Sequence, residues 1–559
     1  FPNGKKMDLC IEVCDGLSTK IYARQKAKEF GVPVVMNSSD RGTTDIERFD
    51  LNPDLPILHG LVDHLDLSIV KQAKTNEEKV PYLLPMLGLD TSSERLKASM
   101  LEIESTITTW PQLASGVIMG GGICTDVCRR ILLNQFNNSG RYFVDVETMI
   151  NDDVVDYISA NKIEEQVNFI PKTNLDDYKD ILKEANEKLF KENDNQSIEL
   201  TTSEVEEIVK HAIMAPSGGN VQPWKWLYKD KNLLLFNDVN RCVSILNYKN
   251  TASLISLGAA TQNLILKTHQ MGYEVEINKF PLGVGNDLIA SFKFFKNTTE
   301  KTTPHQNSNL IDFIPKRLTN RNLSNRSPLQ TETELYFNDI INTISGAKLK
   351  LFKDDSDIGK LKTILSEVDK LFMTNKVGHT HFIQEIRWNK KEVEETRDGI
   401  DINTIDLTPT ERAGLIVSKN WNVTKHIKKW KLGNEFGKLS QKAVDSSSAL
   451  GMITMPSFDA NSFFEGGRAV QKLWLAATEK GIAFQPMSIN TFLFAKVGDD
   501  NFDDVEEIKD ELKLHYQNLK QVCGLTENEK DVFFFRLAVA PEPKVIALRR
   551  TVEDVLMYE

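Results

Sequence analysis

The segment Ala215-Pro216-Ser217-Gly218-Gly219-Asn220-Val221-Gln222-Pro223-Trp224 holds the most informative chemistry of the chain. Its two adjacent glycines let a backbone come close to a flat ligand. Ser217, Asn220 and Gln222 offer donors and acceptors that suit the edge of a heteroaromatic ring. The same composition also suits a helix C-terminus with ordinary turn chemistry. Upstream, Val205, Ile208, Val209, Ala212 and Ile213 recur at helical spacing, which predicts an amphipathic helix leading into the segment. Downstream, Trp224-Lys225-Trp226-Leu227-Tyr228 reads as a strand.

The pattern Ala-Pro-Ser-Gly-x-Asn-x-Gln-Pro-Trp resembles the signature of the nitroreductase superfamily, whose loop lies along the flavin of an FMN enzyme. The resemblance implies that Pro216, Ser217, Gly218, Asn220 and Gln222 bind FMN. Further on, Arg317-Leu318-Thr319-Asn320-Arg321 is similar to the superfamily's Arg-x-Ser-x-Arg phosphate motif, with Thr319 keeping the hydroxyl. Arginine offers bidentate donors to a phosphate dianion, so Arg317, Thr319, Asn320 and Arg321 are implied ligands. Pro486-Met487-Ser488 matches the turn that passes its backbone near the flavin N5, where an N–H would stabilise negative charge on the reduced ring. The run from Leu548 through Arg549 to Glu553 is similar to the superfamily's closing Arg-x-Pro-x-Glu-x-Val, making Arg549 a further phosphate ligand. The resemblance implies an FMN-dependent oxidoreductase, its flavin reduced by NAD(P)H or another donor and reoxidised by an acceptor. A non-catalytic FMN-binding or storage protein is the alternative. No residue of these motifs is required as a general acid or base.

The segment from about 201 to 559 exceeds one such subunit, and an internal repeat accounts for the excess. Gly258, Ala260, Gln262, Leu264, Leu266 and Gly272 recur at identical offsets as Gly467, Ala469, Gln471, Leu473, Leu475 and Gly481. Strands are expected to recur too, Leu233–Phe236 in one half and Lys348–Phe352 in the other. The expectation is an α+β domain of two fused halves, about 201–310 and 311–559, binding one FMN, and the layout resembles the Acg-like branch. The segment 373–430 is expected to be a helical insertion, either a lid over the flavin or a surface appendage.

Residues 1–172 read as α/β: a strand at Asp8–Cys14, a helix from Leu17, a second strand at Val32–Met36 and helices at 92–110 and 114–133. Ile11–Lys20 and Gly31–Val35 resemble the second half of the ThiF-like adenylation fold, a partial Rossmann-like domain in which Asp15 would match a Mg-ATP aspartate. The family's glycine-rich loop has no counterpart upstream. Gly120-Gly121-Gly122 sits between helical segments rather than after a first strand, where a phosphate loop would be. Either the N-terminal half is missing or this region is a relic scaffold, so adenylation is not expected, although a carrier-binding module feeding the flavin remains an alternative. The charged stretch 173–200 is expected to be a surface helix and linker at the domain boundary.

A net charge of -11 argues against nucleic-acid binding, and no apolar run approaches the ~18 residues of a membrane span. With no signal-peptide core, the chain is expected to be cytoplasmic, with possible homodimerisation through its N-terminal domain. Cys10/Cys14 and Cys124/Cys128 fall at i, i+4 in apolar sequence, which favours buried thiols over a zinc knuckle. No metal is expected, and His379-Thr380-His381 is read as surface or lid chemistry.

Overall fold

In the computed structural model, residues 4–103, 105–150, 174–189, 197–297 and 308–559 are described. The chain divides into two compact units, one of residues 1–167 with 407–433, the other of 168–406 with 434–559.

In the first unit, β1 (Cys10–Glu12), the helix Leu17–Glu29 and β2 (Val34–Asn37) form the expected parallel crossover. A tight turn then reverses the chain, with Arg41 and Gly42 both left-handed (φ 53° and 52°). β3 (Thr44–Glu47) therefore runs antiparallel to β2, and β4 (Gly140–Tyr142) antiparallel to β3. The sheet order is β1-β2-β3-β4, so the parallel layout implied by the ThiF-like resemblance goes no further than its first pair. Asp15 is exposed. The three glycines lie inside a continuous helix, Ala114–Leu132, rather than between helices. Close packing accounts for one of them: a Cβ on Gly120 would stand 2.0 Å from the Asn37 side chain.

The expected insertion 373–430 does not hold together as one piece. Residues 407–433 belong to the first unit, where the Asn422 amide donates to Glu94 (3.0 Å) and the Gly433 N–H to the buried Glu102 (3.1 Å). Only the part up to 406 stays with the second unit.

The second unit is built on two sheets. Asp230 and Lys231 are both left-handed (φ 46° and 59°), as a two-residue hairpin requires, and fold β5 (Trp224–Lys229) onto β6 (Asn232–Asn237). The helix Thr251–Gln270 follows, then β7 (Tyr273–Lys279) and β8 (Leu288–Lys296). The second half supplies β9 (Lys348–Phe352), a short parallel pair β10 (Ile386–Arg387) and β11 (Ile400–Asp401), and β12 (Ala449–Met455). The helix Ala460–Glu479, β13 (Ala483–Pro486), β14 (Lys530–Ala538) and β15 (Leu556–Tyr558) complete it.

The main sheets have matching orders, β5-β6-β8-β7 and β9-β12-β14-β13, antiparallel throughout, with a twenty-residue helix between the second and third strand of each in chain order. β15 adds to the first sheet, parallel to β5. By this order the counterpart of β6 is β12. The sequence match of Leu233–Phe236 with Lys348–Phe352 was one strand out of step, because any short apolar run satisfies it.

The two long helices cross through the repeated glycines. A Cβ on Gly258 would lie 2.0 Å from the Phe464 carbonyl, and one on Gly467 2.1 Å from the Ile255 carbonyl. Each glycine thus faces the carbonyl three residues before the other. The repeated glutamines sit at the same crossing: Gln471 donates to Asn263 (2.7 Å) and Gln262 accepts from Arg468 (3.3 Å).

The stretch expected to be a surface helix and linker contains the helix, and the inner face of that helix is core. Tyr178, Leu182 and Ala185, on the segment ending in the helix Lys179–Lys188, are buried on Leu227, Leu234 and Phe236 of the first sheet. Its polar residues form the outer face, which is what gave the stretch its linker-like composition.

Candidate functional site

The helix Thr202–Ala212 ends at Ile213, and Ala215–Gln222 then turns into β5. Gly219, Asn220 and Gln222 are all left-handed (φ 56°, 54° and 54°). For glutamine this backbone costs on the order of 1–3 kcal/mol and persists only where the surroundings over-determine it. They do so here. The Gln222 amide donates to the Arg397 carbonyl (2.8 Å) and accepts from the Arg550 N–H (2.8 Å). The Asn220 amide donates to the carbonyls of Gly399 (3.1 Å) and Leu548 (3.2 Å) and accepts from Arg549 Nη1 (2.8 Å). The Ser217 hydroxyl accepts the Gln222 N–H (3.0 Å). The side chains expected to read a ring edge are thus engaged with the protein and fasten three segments together. Pro216 and Ser217 are half-buried, and Gly218 is exposed.

Arginines approach the loop from 317–321 and from 549. Arg317 is 4% exposed, stacks its guanidinium 4.5 Å over Trp474 and donates to the Met214 carbonyl (3.0 Å). Arg321 donates to the Thr404 carbonyl (3.3 Å). Nε of Arg317 and of Arg549 is buried without an acceptor. Burial pushes Arg321 and Arg549 down to about 10, and burial followed by repulsion from Arg549 holds Arg317 well below its usual range. Among the described residues no carboxylate pairs with any of the three. Arg321 and Arg549 lie deep yet keep part of their side-chain surface accessible, as the wall of a pocket does.

Unpaired buried cations are costly, and proteins keep them where an anion completes the site. The donor set suits a phosphate dianion: the neighbouring guanidinium groups of Arg317 and Arg549, with Arg321 and the hydroxyl of Thr319 on the same stretch of chain as Arg317. Asn320 is directed elsewhere, since its amide donates to the Pro541 carbonyl (2.8 Å) and its N–H to the Phe484 carbonyl (3.1 Å). Pro486 and Ser488 are half-buried, but the Met487 N–H already donates to the Phe534 carbonyl (2.8 Å). The expected N–H toward a ring therefore cannot come from Met487. Arg536, unremarked in the sequence, is fully buried and donates to the Asn322 carbonyl (2.7 Å), which supports the loop after Arg321.

The third segment, 385–406, contributes what sequence reasoning missed. Asp398 is 8% exposed and sits between Arg241 and Arg387, the latter at 2.6 Å. Next to it, the Gly399 N–H donates to the Asn220 carbonyl (3.3 Å) and Arg397 Nε to the Arg549 carbonyl (2.8 Å). In the sequence the Asp398-Gly399 pair falls within the expected helical insertion and carries no site signal. His381, read as lid chemistry, accepts the Ile245 N–H at Nδ1 (2.8 Å). Removing one partner of a buried ion pair costs about 3–5 kcal/mol. Asp398→Asn is therefore expected to make 385–406 a preferred site of limited proteolysis; a cleavage pattern like the wild type's would contradict this strap.

All six cysteines are free, with Cys124 and Cys128 buried and Cys10 and Cys14 half-buried. No helix among the described residues is long and apolar enough to cross a membrane.

No family model matches the chain. It is 28% identical over 547 residues to an uncharacterized protein, MT1398, of Mycobacterium tuberculosis (strain CDC 1551 / Oshkosh), covering 97% of this chain and 71% of that one. A stretch of 82 residues, 15% of this chain and 25% of the relative, is 28% identical to the putative NAD(P)H nitroreductase acg of the same organism. Among solved structures, oxidised iodotyrosine deiodinase bound to FMN and 3-iodo-L-tyrosine matches 43% of this chain and 95% of its own, at 12% identity and a TM-score of 0.25. The sequence similarities run to a relative without an assigned activity over nearly the whole chain, and to a nitroreductase over a short part of it.

Proposed function

We propose that the second unit is an FMN-dependent oxidoreductase of the nitroreductase type. The observation that carries this reading is the buried Arg317 beside Arg549, with Arg321 four residues further along the chain and no acidic partner for any of the three among the described residues. The similarity of 82 residues to a putative NAD(P)H nitroreductase supports it. Arg317, Arg321 and Arg549, with the Thr319 hydroxyl, would hold the phosphate. When bound, the flavin would supply electron transfer between a nicotinamide or other donor and an acceptor.

The chain's own residues do the rest. Asn220 and Gln222 fix the loop to the arginine-bearing segment. The strap around Asp398 limits the entry of water. The equal sheet orders and the mutual glycine crossing support an internal duplication, in which one half provides the loop and the other the anion cradle. A single set of motifs then makes one FMN per chain.

The bonds from Arg397 and Gly399 across the loop also favour a second reading, a flavin that is held but not turned over. Reconstitution with FMN followed by anaerobic stopped flow with NADH and NADPH separates the two. Bleaching of the flavin absorbance is the expected result. A flavin that dithionite reduces and neither nicotinamide does would favour storage, and failure to bind FMN would sink both.

A further inference from the structure

Glu385 ends the helix Lys376–Glu385 and packs on the loop at Gly219. A Cβ on Gly219 would stand 2.6 Å from Glu385 Oε2 and 2.7 Å from its Cδ, so the carboxyl lies directly on the glycine. One residue later, Asn220 holds Arg549. The loop thus touches an acid at Gly219 and a base at Asn220.

We propose that Glu385 is a proton-sensitive positioning residue: its neutral carboxyl holds the Gly219–Asn220 turn closed on the arginine cradle, and its ionisation loosens that turn, so that FMN binding is coupled to proton uptake.

The surroundings of the carboxyl give the reason. The Ser244 hydroxyl is its hydrogen-bond donor. Arg387 is near, but its Nε and Nη2 go to Asp398 (3.1 and 2.6 Å) and its Nη1 to the Gln384 carbonyl (2.8 Å). One helical turn earlier, His381 is turned to the Ile245 N–H and held below its usual range by burial. Arg241, on the far side of Asp398, is committed to that aspartate. An ionised Glu385 would have one hydroxyl and a guanidinium already bound elsewhere, and its half-buried side chain would be only partly hydrated. Burial accordingly pushes this carboxyl up to about 7. Because that lies above the ordinary carboxyl range, the closed state binds the extra proton between about pH 4.5 and 7. Closure is undisturbed below that window, weakens as pH rises through it, and bears the full cost above it.

The inference rests on the flavin reading, and its test keeps the two apart. FMN titrations of the wild type and Glu385→Gln, followed by flavin fluorescence from pH 5 to 8.5, give a ratio of dissociation constants in which the ligand's own ionisation cancels. The wild type is expected to match the variant at pH 5 and to bind at least about tenfold more weakly by pH 8, one decade for each unit of pKa difference. A ratio that stays flat with pH overturns the proposal. Absence of FMN binding by the wild type at every pH overturns the flavin reading instead. Ser244→Ala provides a test that does not depend on Glu385→Gln folding. Losing the donor should move the midpoint of the wild-type pH profile upward, and an unmoved midpoint overturns the proposal.

Discussion

Purified Arg317→Ala/Arg321→Ala protein mixed with FMN is expected to come off a desalting column colourless, while the wild type carries one flavin per chain. Hydrogen bonds to charged groups are each worth about 1.5–3 kcal/mol, so losing both arginines should weaken binding by about two to four powers of ten. Unchanged flavin content would refute the phosphate assignment. The same variant carries a stability signature that separates a lost site from a lost fold. In the free protein Arg317 is buried near Arg549, a like charge that depresses its pKa. Removing it relieves an uncompensated cost, so the unliganded variant should melt no lower than the unliganded wild type. A marked drop would mean that these arginines hold the fold rather than a ligand.

Gly258→Ala is expected to destabilise the second unit by about 2–3 kcal/mol in denaturant titration, the upper range for overpacking a filled interior. The new methyl would meet the Phe464 carbonyl at 2.0 Å, and backbone cannot swing aside as a side chain can. Gly359, inside the helix Asp355–Thr374, has nothing within 4 Å of its added Cβ. Gly359→Ala should therefore stabilise the same unit, by about 0.8–1 kcal/mol from helix propensity. The same substitution in two helices of one unit should change sign. Two substitutions of equal effect would contradict the close crossing.

The sequence made the motif loop, the arginine cluster and the repeated helix legible because each is local: glycines, a run of arginines, and a fixed offset between like residues. The partners of those motifs were not legible. Asn220 meets Gly399 and Arg549 across separations of 179 and 329 residues; Gly399 belongs to no recognisable pattern, and the motif that picks out Arg549 does not say that Asn220 is its partner. Glu385 had no signal at all, since a glutamate ending a polar helix looks like surface. In 173–200 the helix was legible, but its buried face was not. Tyr178, Leu182 and Ala185 form a narrow apolar stripe, which averages away in a segment of such high charge. In the first unit the strands and helix of the opening crossover could be read, but the reversal at Arg41 could not, because the left-handed arginine that makes it has no composition signature.

The return of β15 to the side of β5 has a consequence for the order of events during biosynthesis. As the chain leaves the ribosome, Trp224–Lys229 is made well before Leu556–Tyr558 can cover it. Until then β5 has an open edge, and the Arg549 that meets Asn220 does not yet exist. The first half must wait, partly finished, for the last strand of the second, so the proposed anion cradle is complete only after translation has passed this point.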